Sequence, residues 1–172
     1  MQPSAESGAG FHAGAITSLS AASRRPLLAT ASKDHTVCIW DFRRQLCLTA
    51  MQATHPVTAL AVHPWGTEMV IATRDSAHAH VIANELIVGE RLADSSGGFT
   101  IISYSRRGGL VACVRRNVVL VYVTGTYALA ATLRGHPEEV ADVQWSEDGF
   151  RLVTVCRAAV YSWSMETYSK VR

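Results

Sequence analysis

Residues 12–41 read HAGAITSLSAASRRPLLATASKDHTVCIWD, and this stretch decides the fold. It holds short segments of small apolar and β-branched residues, interrupted by the polar sequences SRRP and SKDH. Such segments and breaks are typical of antiparallel strands joined by turns. The stretch therefore predicts consecutive strands of one sheet.

The same pattern recurs along the chain with a fixed period. Four residues that close apolar segments are spaced 41 apart: Trp40, Val81, Tyr122 and Trp163. Four residues that open such segments have intervals of 41, 42 and 41: Ile16, Val57, Phe99 and Val140. A period of about 40 to 45 residues is that of four-stranded propeller blades. Because two independent landmarks keep one register, the chain is expected to hold four such units.

Apolar spacing of the helical kind is not sustained in any window, whereas runs such as TVCIW and NVVLVYV have the bias of strands. We expect an all-β protein with four consecutive antiparallel blades of a larger propeller, either seven-bladed or tandem. The blades are assigned to residues 11–52, 53–93, 94–134 and 135–172, the second and third being degenerate. Residues 1–10, rich in Ser, Ala and Gly, predict a flexible lead-in.

The first unit closely resembles the signature of WD40 repeats, with His12 near its start, Ser32 and Asp34 at a turn, and Trp40 followed by Asp41 at its close. In that family, His, Ser, Asp and Trp side chains form a buried hydrogen-bonded relay. The relay pins the outer loop to the tight turn. The resemblance implies this structural role for His12, Ser32, Asp34 and Trp40. A catalytic triad of Ser32, His12 and Asp34 is disfavoured because the residues occupy a repeating structural slot.

The second unit keeps this relay in part. It has His55, Thr73 and Asp75, but the 41-residue spacing puts Val81 at the Trp position. Its turn is therefore expected to be less tightly pinned.

The fourth and third units also depart from the signature. The fourth keeps His136 and Trp163, but Arg157 stands where Asp belongs. The third has Asn117 and Tyr122 near the expected positions and no Gly-His. Its assignment as a blade depends on spacing alone.

The order of intact and degenerate units resembles, more narrowly, the axonemal cilia- and flagella-associated protein 57 family. The stretches that carry this likeness are LLATASKDHTVCIWD, VTALAVHPWGTEMVIATRD, RRNVVLVYVTGTY and LRGHPEEVADVQWSEDGFRLVTVCRAAVYSWSMETYSKV. The resemblance implies a scaffold in the axoneme of a cilium or flagellum, with other axonemal proteins, tubulin or dynein-associated components as partners. That family is expected to carry further blades and a long coiled coil, whereas no sustained heptad appears here.

Four WD40 blades do not ordinarily close a ring, which usually needs about seven. Unclosed repeats leave apolar faces and strand edges uncovered. We expect the remaining blades, from the same protein or another chain, to cover the first and last units. A four-bladed ring is the other alternative.

The sequence contains few candidate catalytic, cofactor-binding or metal-ligating residues. His78 and His80 stand two apart on a predicted strand and share a face, but no third metal ligand lies nearby. The glycine pairs lie at turns and do not precede a helix, so they form no phosphate cradle. We expect no catalytic, cofactor-binding or metal site and no enzymatic activity.

Charge and hydropathy exclude two kinds of partner. The formal net charge is +2, and the basic residues are dispersed, which argues against nucleic acid. No apolar run approaches the roughly 18 residues of a membrane span. Four cysteines without CxxC spacing indicate free buried thiols in a reducing compartment.

Two arginine pairs, Arg24–Arg25 and Arg106–Arg107, fall in equivalent turns of the first and third units. They are expected to project from one rim and to offer a charged surface to a partner, for which the axonemal resemblance makes acidic tubulin a candidate. The first hypothesis is thus an axonemal interaction scaffold. The alternative is a WD40 adaptor or regulatory subunit of a soluble cytosolic complex, such as a ubiquitin ligase or a trafficking assembly.

Overall fold

The computed structural model describes residues 12–83, 86–91 and 98–171. The lead-in expected at residues 1–10 lies outside this range. Blade 1 consists of β1 (Ile16–Ala21), β2 (Leu27–Ser32), β3 (Thr36–Asp41) and β4 (Leu46–Gln52). Blade 2 consists of β5 (Val57–Val62), β6 (Glu68–Thr73), β7 (Ala77–Ala83) and β8 (Leu86–Arg91). Blade 3 consists of β9 (Ile101–Tyr104), β10 (Leu110–Arg115), β11 (Val118–Val123) and β12 (Leu129–Leu133). Blade 4 consists of β13 (Val140–Trp145), β14 (Arg151–Cys156), β15 (Val160–Ser164) and β16 (Ser169–Val171).

Each blade is a separate antiparallel sheet in which strands that follow one another in sequence are hydrogen-bonded neighbours. The expectation of an all-β chain with four four-stranded blades is therefore confirmed. Because every blade is a simple meander, the turns between its first and second strands and between its third and fourth strands lie at the same end. Among the described residues, no helix is long and apolar enough to cross a membrane.

Apolar clusters fill the three interfaces between successive blades. Side chains alternate between the two faces of a strand, so each blade packs one face on its predecessor and the other on its successor. Ala29 and Ile39 of blade 1 pack with Leu60 and Ile71 of blade 2. Blades 2 and 3 share a second cluster, and blades 3 and 4 share a third. The core is therefore distributed between the sheets, as in a propeller.

Side-chain hydroxyls also tie the inner strands together. Thr17 donates its hydroxyl to the carbonyl of Val57 at 3.1 Å, and Thr58 donates to the carbonyl of Phe99 at 2.7 Å. These two bonds are one repeat apart. The first strand of blade 1 is thus held beside blade 2, and the first strand of blade 2 beside blade 3, by a repeated polar contact as well as by apolar packing.

The outward faces of the first and last blades remain open. Leu19 of β1 is 61% exposed, and Val160 of β15 is 65% exposed. Leu19 pairs with Thr30, whose side chain points away from the cluster between blades 1 and 2. Apolar side chains thus face solvent where the interior blades bury the corresponding surface.

Candidate functional site

A hydrogen-bonded relay crosses the outward face of blade 1. Thr30 is its centre: His12 Nε2 lies 2.7 Å from the Thr30 hydroxyl oxygen, and the indole N–H of Trp40 donates to that oxygen at 2.8 Å. His12 Nδ1 contacts the hydroxyl of Thr36 at 2.6 Å. The loop that precedes β1 is thereby joined to β2 and β3.

Asp34 organises the tight turn between β2 and β3. Its carboxylate accepts the backbone N–H groups of Gly14 at 3.1 Å and Thr36 at 2.8 Å. The hydroxyl of Thr36 donates to the same carboxylate, and this bond is the main reason why the pKa of Asp34 lies well below its usual range. Asp34 therefore joins the loop before β1 to the turn between β2 and β3.

Ser32 does not lie between His12 and Trp40, although the family pattern assigned it to the relay. Its hydroxyl oxygen accepts the backbone N–H of Asp34 at 3.2 Å. The physical reason is its position: Ala31, opposite Val37, is the last residue of β2 paired with β3, so Ser32 already lies at the turn. The relay hydroxyl belongs to Thr30, two residues earlier on the same face.

Blade 4 repeats the relay of blade 1. His136 Nε2 lies 2.7 Å from the hydroxyl oxygen of Thr154, and the indole N–H of Trp163 donates to that oxygen at 2.9 Å. His136 Nδ1 lies 3.1 Å from the carbonyl oxygen of Asn117, in the turn of the preceding blade. Burial lowers the pKa of His136. The ring of Tyr161 meets His136 edge-on, with centroids 4.9 Å apart.

Within residues 57–83 and 98–133, no such relay is found in blades 2 and 3. The pairing of the second strand with the first strand identifies the residue equivalent to Thr30 in each blade. It is Ile71 in blade 2 and Cys113 in blade 3. Thr73 instead donates its hydroxyl to the carbonyl of Ser76 at 3.2 Å, within its own turn. Of the second-blade residues assigned to the relay, His55 is exposed and lies 3.9 Å from the carboxylate of Asp75.

His80, and not Val81, occupies the Trp position of blade 2. Trp40 lies opposite Leu28, and the corresponding pair in blade 2 is His80 opposite Met69. The turn between the second and third strands is one residue shorter in blade 2 than in blade 1. The residue equivalent to Trp40 therefore lies 40 residues after it, and not 41. Val81 consequently points to the other face, where it is 47% exposed.

The hydroxyls of Thr30 and Thr154 were missed by the sequence analysis. Each stands two residues after the residue that pairs with a blade tryptophan, Leu28 in blade 1 and Leu152 in blade 4. A threonine at that offset in both Trp-containing blades was a signal in the sequence. It could be recognised only once the strand register was known.

The turns between first and second strands form a second cluster, which we call the rim: residues 22–26, 63–67, 105–109 and 146–150. Each turn contacts the corresponding turn of the following blade. The backbone N–H of Arg24 donates to the carbonyl of Pro64 at 2.9 Å, and the Arg24 guanidinium lies over the Trp65 ring at 5.3 Å. The Arg107 guanidinium lies over the Phe150 ring at 4.9 Å.

Between blades 2 and 3, a histidine makes the corresponding contact. His63 is buried, and its Nε2 lies 3.1 Å from the carbonyl oxygen of Gly108. Gly108 has φ +80°, and a Cβ added there would lie 2.0 Å from that nitrogen. Only glycine fits this position, because both the backbone conformation and the close approach of His63 exclude a side chain.

Three of the four rim arginines singled out in the sequence surround one open cleft. Arg24, Arg106 and Arg107 line it with Ser23 and Glu147. Arg25 lines a neighbouring cleft with Arg24 and Arg43. Equivalent turns of blades 1 and 3 thus do meet at one end of the structure.

The histidine pair in blade 2 does not form a ligand cluster. The rings of His78 and His80 are 6.1 Å apart, and His78 Nε2 lies 2.9 Å from the hydroxyl of Ser76. Across the described ranges, no group of three or more His, Cys, Asp or Glu side chains could hold a metal ion.

The repeats and the blade geometry define the class of protein. The family model described as "WD domain, G-beta repeat" matches residues 10–41, in blade 1, and residues 128–164, which run from the last strand of blade 3 through the first three strands of blade 4. The fold matches the β-propeller domain of Cps50 (Swd1) from Myceliophteria thermophila with a TM-score of 0.74, at 18% identity, over 87% of this chain and 51% of that one. The chain thus contains WD40 repeats, and its fold is that of a β-propeller.

Among curated proteins, the chain is similar to cilia- and flagella-associated protein 57 of Mus musculus, with 29% identity over 91% of this chain. It is also similar to cilia- and flagella-associated protein 57 C of Tetrahymena thermophila, with 23% identity over 90% of this chain. In each case, it spans 13% of the relative's length. Pre-mRNA-processing factor 19 of Oryza sativa is 27% identical over 94% of this chain and 32% of its own length.

Proposed function

We propose that the protein is a non-enzymatic scaffold of the ciliary or flagellar axoneme. Its blades would hold other axonemal proteins within a doublet microtubule-associated or dynein-regulatory assembly, with tubulin and dynein-associated components as candidate partners. The observation that carries this proposal is similarity across at least 90% of the chain to proteins named for cilia and flagella in a mammal and in a ciliate.

The polar clusters of the blades support a structural role. The relays centred on Thr30 and Thr154 bind neighbouring strands and loops to one another. They fix the turns on a rigid frame, and rigid frames with many exposed turns suit protein recognition. The residues that contact partners are therefore expected in the turns at the two ends of the blades.

The open faces of blades 1 and 4 support the proposal that further blades complete the propeller. Leu19 and Val160 are exposed at positions that face a neighbouring sheet in an interior blade. Further propeller blades, from the same chain or from another, would bury these side chains as blades 2 and 3 bury theirs.

A soluble cytosolic complex is the alternative location. The similarity to pre-mRNA-processing factor 19 of rice keeps an assembly outside the axoneme open, because its identity of 27% is close to that of the ciliary relatives. The protein would then be an adaptor or regulatory subunit, for example of a ubiquitin ligase or a trafficking assembly.

Localisation of the tagged full-length protein in a ciliated or flagellated cell distinguishes the two. We expect the tag along the axoneme and, after detergent extraction, in the axonemal pellet, from which it is released only as salt is raised. A signal confined to the detergent-soluble fraction would contradict the axonemal proposal and favour the soluble adaptor.

A further inference from the structure

Five exposed arginines line two adjoining clefts on the rim. Arg24, Arg106 and Arg107 line the larger cleft, of about 400 Å³. Arg24, Arg25 and Arg43 line the smaller one, of about 230 Å³. Arg24 and Ser23 belong to both, so the clefts form one continuous surface. Glu147 is the one acidic residue among those that line them.

Of these arginines, Arg107 acts on the nearby carboxyl of Asp148, whose pKa it helps to lower. Among the described residues, none of the five forms an ion pair, whereas the neighbouring Arg44 lies 3.8 Å from the carboxylate of Asp41. A group of unpaired guanidinium groups at one end of the blades creates a local positive potential, although the net charge of the chain is only +2.

Aromatic rings hold two of these guanidinium groups in place. Arg24 lies over Trp65, and Arg107 lies over Phe150. Stacking uses the face of a guanidinium, while its N–H groups point outward in the plane. A carboxylate can accept two of these N–H groups at once. These contacts restrict the motion of Arg24 and Arg107, so each guanidinium loses less freedom when it binds a carboxylate.

Exposed aromatic side chains beside the clefts could pack against the apolar side chains of a polypeptide. Trp65 is 53% exposed and Phe150 is 43% exposed. Arginine and large aromatic residues are enriched among the residues that dominate protein–protein affinity. A nucleic acid fits less well, because these arginines line two small clefts and do not extend into the long basic stripe that a phosphate backbone would follow.

We propose that this rim is a docking site for an acidic polypeptide segment. Glutamate or aspartate side chains of the segment would pair with Arg24, Arg106 and Arg107, and its apolar side chains would pack on Trp65 and Phe150. The inference deepens the proposed scaffold function by assigning a surface and a partner chemistry. The binding itself does not depend on where the protein resides in the cell.

The test measures binding of a fluorescein-labelled hexaglutamate peptide to the purified protein by fluorescence anisotropy. A hexaserine peptide and a double-stranded DNA oligonucleotide serve as comparison probes. We expect hexaglutamate to bind, hexaserine not to bind, and the affinity for hexaglutamate to fall as salt is raised. Tighter binding of the DNA than of the peptide, or no binding of hexaglutamate at low salt, would overturn the proposal.

Two rim variants and one control variant test whether these arginines bind the peptide. The variant R24S/R106S/R107S should weaken hexaglutamate binding by at least about tenfold, since it removes three donors of charged hydrogen bonds. R106S alone leaves both stacked pairs intact, so it should keep the fold and still weaken binding severalfold. R157S removes an exposed arginine from the turn between β14 and β15, at the opposite end of blade 4, and should leave affinity unchanged. Equal losses in R106S and R157S would overturn the assignment.

The outcomes also separate this inference from the proposed function. An axonemal protein whose rim does not bind hexaglutamate refutes the inference alone. A cytosolic protein whose rim binds it refutes the axonemal proposal alone.

Discussion

Trp163 donates its indole N–H to the buried hydroxyl of Thr154 at 2.9 Å, and His136 contacts the same oxygen at 2.7 Å. One hydroxyl thus joins a loop, a second strand and a third strand of blade 4. The arrangement recurs around Thr30 in blade 1. It is the main polar feature that these two blades share.

Replacing Thr154 by valine keeps the side-chain shape and removes this oxygen. The indole N–H of Trp163 is then buried without an acceptor, which costs about 1–3 kcal/mol of unfolding free energy. Urea unfolding followed by circular dichroism measures the change. T132V, at an exposed position of β12, is the control and should change stability little. Equal effects of the two substitutions would contradict the role of Thr154.

A spectroscopic experiment decides which hydroxyl serves the blade 1 relay. We expect T30V to shift the indole N–H proton resonance of Trp40, because that proton loses its acceptor. S32A should leave this resonance in place, since Ser32 accepts the backbone N–H of Asp34 instead. The opposite pattern in the ¹H–¹⁵N spectrum would restore Ser32 to the relay.

Gly108 is expected to be the rim residue most sensitive to a methyl group. Its φ is +80°, and the added Cβ would lie 2.0 Å from Nε2 of His63. The backbone conformation costs an alanine roughly 1–2 kcal/mol, and loss of the His63 contact adds about 1 kcal/mol. G108A should therefore lower the unfolding free energy by about 2–3 kcal/mol.

The adjacent glycine provides the matched control for that substitution. A Cβ at Gly109 would have nothing within 4 Å. G109A should thus be close to neutral in the same thermal and urea unfolding experiments. If G108A were equally well tolerated, the turn of blade 3 would not be fixed by His63.

Stability should fall as the solution is acidified below neutral pH. Burial, with a smaller contribution from His78, lowers the pKa of His80 from 6.5 to about 4. Between these values the unfolded chain binds the proton and the folded chain does not. The contribution of His80 is therefore complete above about pH 6.5 and is lost as the pH falls towards 4.

The slope from this group is at most about 1.4 kcal/mol per pH unit, and solvent reduces it because the ring is partly exposed. Unfolding measured between pH 7 and 4 should show a weaker pH dependence in H80Q than in the wild type. Parallel profiles for H80Q and wild type would contradict a depressed pKa at His80.

The period of the sequence was enough to predict the blades, because a repeating strand pattern leaves few other ways to bury its apolar faces. It was not enough to assign every side chain. One missing turn residue put His80 in the slot expected for Val81, since a slip of one residue moves a side chain to the other face of a strand. Similarly, Thr30 could be preferred to Ser32 only after the pairing of β2 with β3 was known.

The sequence predicted the position of the rim arginines but not their contacts. Arg24 and Arg106 occupy equivalent turns, so their common end follows from the repeat alone. The contacts of Arg24 with Trp65 and of Arg107 with Phe150 join different blades. Those contacts depend on how far apart the blades lie and on side-chain directions, which a single sequence does not contain.

Cross-linking mass spectrometry on isolated motile axonemes, made from cells that express the tagged protein, tests the scaffold claim most directly. We expect cross-links from the blades to other axonemal proteins, retained after detergent has removed the soluble fraction. An axonemal preparation in which the protein is present but cross-links only to itself, or from which detergent removes it entirely, would contradict the account.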